Sequence, residues 1–136
     1  MMRLLLHTPG VQSWIGRSVA LISWTGRSSG RRYATPVSYY RRDGKVTVLS
    51  RRSRKWWRNF SEQPSVELRL AGETVQGRAR ASIGEEGALP TLAEFLKHNT
   101  RDAKAYGVKI DADGRLDERD VRALLSQVVL IEIRLV

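Results

Sequence analysis

Asp43-Gly44 sits between two runs rich in β-branched and aromatic residues, Tyr33 to Arg41 and Lys45 to Ser50. A two-residue type I′ hairpin needs positive φ at both central positions, and Asp-Gly meets that demand at little cost. The two runs are therefore neighbouring antiparallel strands, and the rest of the first 82 residues follows the same habit. Ser18 to Trp24 is short and uncharged, as expected of a strand buried on both faces. Val66, Leu68 and Leu70 alternate with Glu67 and Arg69; after the Ala71-Gly72 turn, Val75, Gly77, Ala79 and Ala81 alternate with Gln76, Arg78 and Arg80. These read as half-buried antiparallel strands, and the small residues at 77, 79 and 81 let another element approach closely. Thr35-Pro36 marks a bulge or a sheet edge, because proline cannot donate to a ladder.

The period then lengthens. Trp56 and Phe60 stand four apart, which predicts a helix from about Ser53 to Gln63 with Trp56 packed inward, Trp57 turned toward a groove, and Pro64 as its stop. Leu89, Leu92, Ala93, Phe95 and Leu96 form a helical stripe, as do Val121, Leu124 and Leu125 behind the acids Asp117 and Glu118. Val129, Ile131, Ile133 and Leu135 alternate again. The expectation is a single domain over residues 1–136, mainly β (α+β): a small antiparallel barrel with peripheral helices over 83–126 and a returning strand over 128–136. Residues 1–17 form an extension or a short helix around Trp14.

Composition removes several chemistries. The chain has no cysteine, and its two histidines, His7 and His98, lie far apart, so zinc, iron–sulfur and Cys–His catalysis have no residues to build on. No metal site is expected: placing Gly114 at the glycine of a calcium loop puts Lys109 at its first ligand position. Three leucines before Pro9-Gly10 are too few for a signal-peptide core or a membrane span, so a cytoplasmic protein is expected.

Charge is distributed unevenly. Residues 1–82 carry 16 basic and 4 acidic side chains, a balance of +12, whereas residues 83–136 carry 8 and 10, a balance of −2. Eleven of the 24 cations fall between Thr25 and Phe60, with Asp43 the single acid there. The turn Gly26-Arg27-Ser28-Ser29-Gly30, followed by Arg31 and Arg32, is neither a Walker loop nor a Rossmann fingerprint. Glycines that free backbone N–H groups, beside guanidinium forks, nonetheless suit a phosphate or carboxylate ligand. Arg51, Arg52, Arg54 and Lys55, two strands later, can face the same groove, with Trp56-Trp57 next to them. The pattern fits a ligand with an acidic tail and a flat ring, or a nucleic acid.

The ordered set Thr25-Gly26-Arg27-x-Ser29-Gly30, Thr35-Pro36, Asp43-Gly44, Ser50-Arg51 and Trp56-Trp57-Arg58-Asn59 resembles the deazaflavin-dependent nitroreductase family, split β-barrel proteins of the flavin-reductase and PNP-oxidase-like kind that use coenzyme F-420. The resemblance is clearest over residues 20–82. Matched position by position, it implies a cofactor site built from Arg27, Ser28, Ser29, Thr35, Pro36, Ser50, Arg51, Trp56, Trp57 and Asn59. Relatives commonly carry Lys at the place of Ser28 and Arg at the place of Tyr33, with a longer loop between Ser50 and Trp56. Arg31, Arg32, Arg52 and Arg54 are the cations that can replace the missing charge.

Such a protein is expected to transfer a hydride between the deazaflavin and an electron-poor small molecule, a quinone, an enone or a nitro compound. The cofactor carries that chemistry, so no catalytic His, Cys or carboxylate cluster is required. Ser38, Tyr39, Tyr40 and Tyr106 are the candidate donors to a developing anion. FMN, with its single phosphate, suits the arginine groove less well. The rival reading is a non-enzymatic basic barrel that binds single-stranded nucleic acid by stacking bases on the tryptophans, or that carries an apolar ligand. Pairing into a homodimer is left open.

Overall fold

A computed structural model of the chain describes residues 19–26, 28–60, 62–83 and 86–136. The expected short helix within residues 1–17, and Arg27, lie outside the described residues. Six antiparallel strands, β1 (Val19–Thr25), β2 (Arg32–Arg42), β3 (Lys45–Arg51), β4 (Ser65–Leu70), β5 (Glu73–Ile83) and β6 (Val128–Leu135), close into a barrel in the order β1-β2-β3-β6-β5-β4. Asp43 and Gly44 take φ of 49° and 77°, the positive pair that the hairpin demands. The returning strand fills the place between β3 and β5, pairing Val48 with Ile131 and Ala79 with Ile133.

Alternation sorts the side chains. Ile22, Val46, Val48, Leu68, Ala79, Ile131 and Ile133 fill the barrel, where all are buried. Gly77 sits where β5 presses on β6: a Cβ there would lie 2.5 Å from the Arg134 carbonyl oxygen and 2.7 Å from Ile133 Cγ2. The close approach that the small residues promised is thus to the strand next door.

A second core lies outside the barrel. The outward residues Leu49, Val128 and Leu130 are covered by α1 (Leu89–His98), α2 (Thr100–Ala105) and α3 (Glu118–Leu124), which contribute Leu92, Phe95, Leu96, Ala103, Val121 and Leu124. Asp117 caps α3, its side chain accepting from the Asp120 N–H. Between α1 and α2, buried Asn99 donates from Nδ2 to the carbonyls of Phe95 (3.1 Å) and Tyr39 (3.3 Å), tying the junction of the two helices to β2.

Glu94 ties α1 to the sheet by accepting from the Tyr40 hydroxyl (2.9 Å) and the Arg42 guanidinium (2.6 Å). Tyr40's hydrogen bond, then Arg42's, holds the Glu94 carboxyl below its ordinary value of 4.5. A lowered carboxyl pKa gives stability that is present above the unfolded value and is lost as pH falls through the folded one. Melting curves should therefore show wild type losing its advantage over Glu94→Gln as pH drops below about 4.5.

The 56–63 segment departs from expectation. In place of an α-helix over 53–63, Trp56–Phe60 forms a 3-10 turn, in which residues three apart, not four, lie over one another. Trp57 and Phe60 are accordingly the buried pair, with exposures of 9% and 0%. Trp56 keeps one side open while it meets Phe60 edge-on (5.6 Å) and leans on Trp24 (5.6 Å). The expected orientation of the two tryptophans is therefore reversed.

Candidate active-site groove

The β2–β3 ladder runs only from Tyr39–Val48 to Arg42–Lys45. Beyond it the strands part: β2 continues alongside β1 through Thr35, Pro36, Val37 and Ser38, whereas β3 turns to follow β6 through Leu49, Ser50 and Arg51. An unzipped edge of this kind accommodates Pro36 without loss of a cross-strand bond. The opening is a cleft of about 260 Å³ lined by Thr35–Ser38, Leu49–Arg51, Arg54, Trp56, Asp102 and Tyr106. Asp102 arrives on α2 and Tyr106 caps its C-terminal end, the Tyr106 N–H donating to the Asp102 carbonyl (2.9 Å).

Thr35, Pro36, Ser50, Arg51, Arg54 and Trp56, six of the residues expected to bind a cofactor, meet in this cleft. Ser28, Ser29 and Arg31 lie exposed in the β1–β2 hairpin, at the same end of the barrel but outside the lining. That hairpin is self-organised: the Ser29 hydroxyl accepts from the Arg31 N–H (3.2 Å) and lies 3.2 Å from the Tyr33 hydroxyl, while Gly30 takes φ of +70°. Asn59 spends its Nδ2 on the Trp56 carbonyl (3.0 Å), inside the turn, and Trp57 gives its indole N–H to the Arg52 carbonyl (3.3 Å).

Two of the cations considered as replacements point elsewhere. Arg52 directs its guanidinium to the carbonyls of Leu125 (3.2 Å) and Val128 (3.4 Å), pinning the loop to the start of β6. Arg32 lies near Thr25 and Glu67. Arg51 and Arg54, both exposed, remain at the cleft, with the Arg51 guanidinium 4.4 Å over the Tyr106 ring.

The candidate donors divide evenly. Ser38 and Tyr106 line the cleft. Tyr39, 5% exposed, faces the barrel core, and Tyr40 has given its hydroxyl to Glu94 and stacks on His98 at 4.3 Å, so neither reaches it. Burial raises the Tyr106 pKa; Asp102 adds to the rise and Arg51 and Arg54 oppose it, so the phenol stays protonated at neutral pH. Besides the apolar Val37 and Leu49, the lining holds one charged residue absent from the sequence reading, Asp102. Its signal was its spacing of four from Tyr106, which puts both on one side of a helix.

Coenzyme F-420 joins a flat deazaflavin ring to a phosphate and an acidic tail, and the cleft has matching parts. Its volume falls short of the roughly 300–1,000 Å³ of sites that enclose a drug-sized ligand, so it suits a ring whose tail runs outside, across Arg51 and Arg54. Parted backbone strands and the open side of Trp56 supply flat walls. Trp56 and Trp57 do not form an exposed pair on which bases could stack, since Trp57 is buried. Among the described residues no cluster of His, Asp or Glu could hold a metal ion, and no helix is long and apolar enough to cross a membrane.

Residues 4–115 match the sequence pattern of the F-420H(2)-dependent quinone reductase family. No curated protein matches the chain. Among solved structures, an F-420H(2) dependent reductase (FDR-A) superposes with a TM-score of 0.58 at 16% identity, covering 88% of this chain and 96% of the other. A FAD-binding protein from Mesorhizobium loti gives 0.57 at 16% identity over 88% and 82% of the two chains. A protein described as a domain-swapped dimer gives 0.57 at 17% identity over 88% and 81%. At such identities these likenesses establish the split-barrel fold.

Proposed function

This chain belongs to the F-420H(2)-dependent quinone reductase family, and from that premise we propose that it binds coenzyme F-420 in the cleft where β2 and β3 part and reduces a quinone, an enone or a nitro compound there. The cofactor is coenzyme F-420, and the protein is an F-420-dependent reductase. The observation that carries the proposed site is the pairing of an unzipped strand edge with Arg51, Arg54 and Tyr106 in one lining.

When bound, the reduced deazaflavin supplies the hydride. The remaining tasks fall to the chain. Arg51 and Arg54 take the anionic tail through charge-assisted contacts, and the cation–π contact with Tyr106 limits how far Arg51 can swing. Val37, Leu49 and Trp56 give the ring apolar cover and exclude water from its reacting side. As a hydride reaches the acceptor, negative charge gathers on its oxygen, and the Tyr106 Oη–H is the proposed donor to that oxygen, with the Ser38 hydroxyl as its alternative. The raised pKa of Tyr106 keeps that proton in place.

Homodimerisation joins the proposal through the likeness to a barrel described as a domain-swapped dimer. The test of the acceptor class is oxidation of reduced F-420 by purified protein with menadione, an enone and a nitroaromatic supplied in turn. Turnover with at least one is expected, slowed on the order of 10²-fold or more in a Ser38→Ala/Tyr106→Phe double variant that still binds the cofactor. Turnover untouched in that variant would contradict the donor assignment.

A further inference from the structure

We propose that Asp102 sets the charge of the acceptor admitted to the cleft, favouring neutral electron-poor molecules over acidic ones; this rests on the reading of the cleft as the hydride-transfer site. Two exposed arginines at a cleft attract small carboxylates and phosphates without discrimination, because guanidinium forks pair with any such anion. Any guanidinium that the tail leaves unpaired would draw an acidic acceptor into the cleft. Asp102 stands on the α2 wall beside Tyr106, in the same lining as both arginines.

Its carboxylate makes no ion pair or side-chain hydrogen bond among the described residues. A half-buried carboxylate in a cleft that must also take a polyanionic tail works against that tail; its place in the first turn of α2 suits the helix dipole, while its position in the lining puts the charge in the cleft. Arg51 lies over Tyr106 and Arg54 stands at the mouth, and on the proposed reading the tail engages both. With the cations so occupied, Asp102 is the charge left in the lining beside the proposed donor, since Arg101 and Lys104 of α2 lie exposed outside it. Selectivity of this kind comes from a repulsive group aimed at the wrong ligand, and one carboxylate within several ångströms of an incoming anion suffices for about a tenfold preference.

The test uses protein saturated with oxidised F-420, so that no turnover occurs, and measures binding of menadione and of a naphthoquinone sulfonate of similar ring size by quenching of tryptophan fluorescence. Wild type should prefer menadione. Asp102→Asn should lower the menadione-to-sulfonate affinity ratio by about tenfold, and Asp102→Glu should restore most of it. A ratio that moves by less than about twofold, or two affinities that fall together as they would for a merely structural residue, overturns the inference. So does failure of both quinones to bind. A wild-type protein that fails to bind oxidised F-420 removes the cofactor site and this inference together, whereas normal cofactor binding with an unchanged ratio removes the inference alone.

Discussion

Replacing Trp57 with alanine is expected to destabilise the chain by about 3–5 kcal/mol, the range for emptying a large aromatic site in a core. Trp57 is buried with Phe60 against the barrel end, and its indole N–H closes the loop by bonding the Arg52 carbonyl. Trp56→Ala should cost less, about 1–2 kcal/mol for its partial contacts with Trp24 and Phe60, and should show itself mainly as weaker cofactor binding because Trp56 lines the cleft. Thermal melts and fluorescence titrations of the two single variants separate these outcomes. A Trp56→Ala protein that melts far below Trp57→Ala would mean that the 3-10 turn faces the other way.

The double variant Arg51→Ala/Arg54→Ala is expected to weaken F-420 binding by about 2–4 kcal/mol, on the order of 30- to 1,000-fold, if each guanidinium makes a charge-assisted contact. Both side chains are exposed, so the fold should persist. Arg52→Ala provides the contrast. Its guanidinium serves two backbone carbonyls at the entry to β6, and its loss should lower the melting temperature while leaving cofactor affinity close to wild type. Equal losses of affinity in the double variant and in Arg52→Ala would show that the effect is general disturbance of the loop and not loss of an anion contact.

The barrel was legible because its information is local. Asp43-Gly44 fixes one hairpin, Ala71-Gly72 another, and the two-residue alternation of β4, β5 and β6 fixes which side chains turn inward. The groove was legible only in part, because its walls come from distant segments. Thr35-Pro36 announced an edge, but nothing local says that β3 leaves β2 at Val48 to follow a strand some 80 residues further on. The Trp56–Trp57 orientation differs from expectation because a spacing of four fits α-helical geometry, whereas a five-residue segment ending shortly before Pro64 is short enough for the tighter turn. Among the cations, the sequence shows Arg51, Arg52 and Arg54 as equals. Only the fold reveals that Arg52 meets carbonyls at Leu125 and Val128. Asp102 is hidden for a related reason: it belongs to the acidic part of the chain, and α2 carries it into the basic part's cleft.

Titration of the purified protein with oxidised F-420, set against FMN under the same conditions, tests the account most directly. The two ligands share a flat ring and a phosphate, and differ in the acidic tail that Arg51 and Arg54 are proposed to hold. The account predicts F-420 binding at micromolar concentration or tighter, FMN binding weaker by on the order of 10²-fold, and a difference that shrinks as salt screens the tail. Equal affinity for the two, or binding of neither, would contradict it.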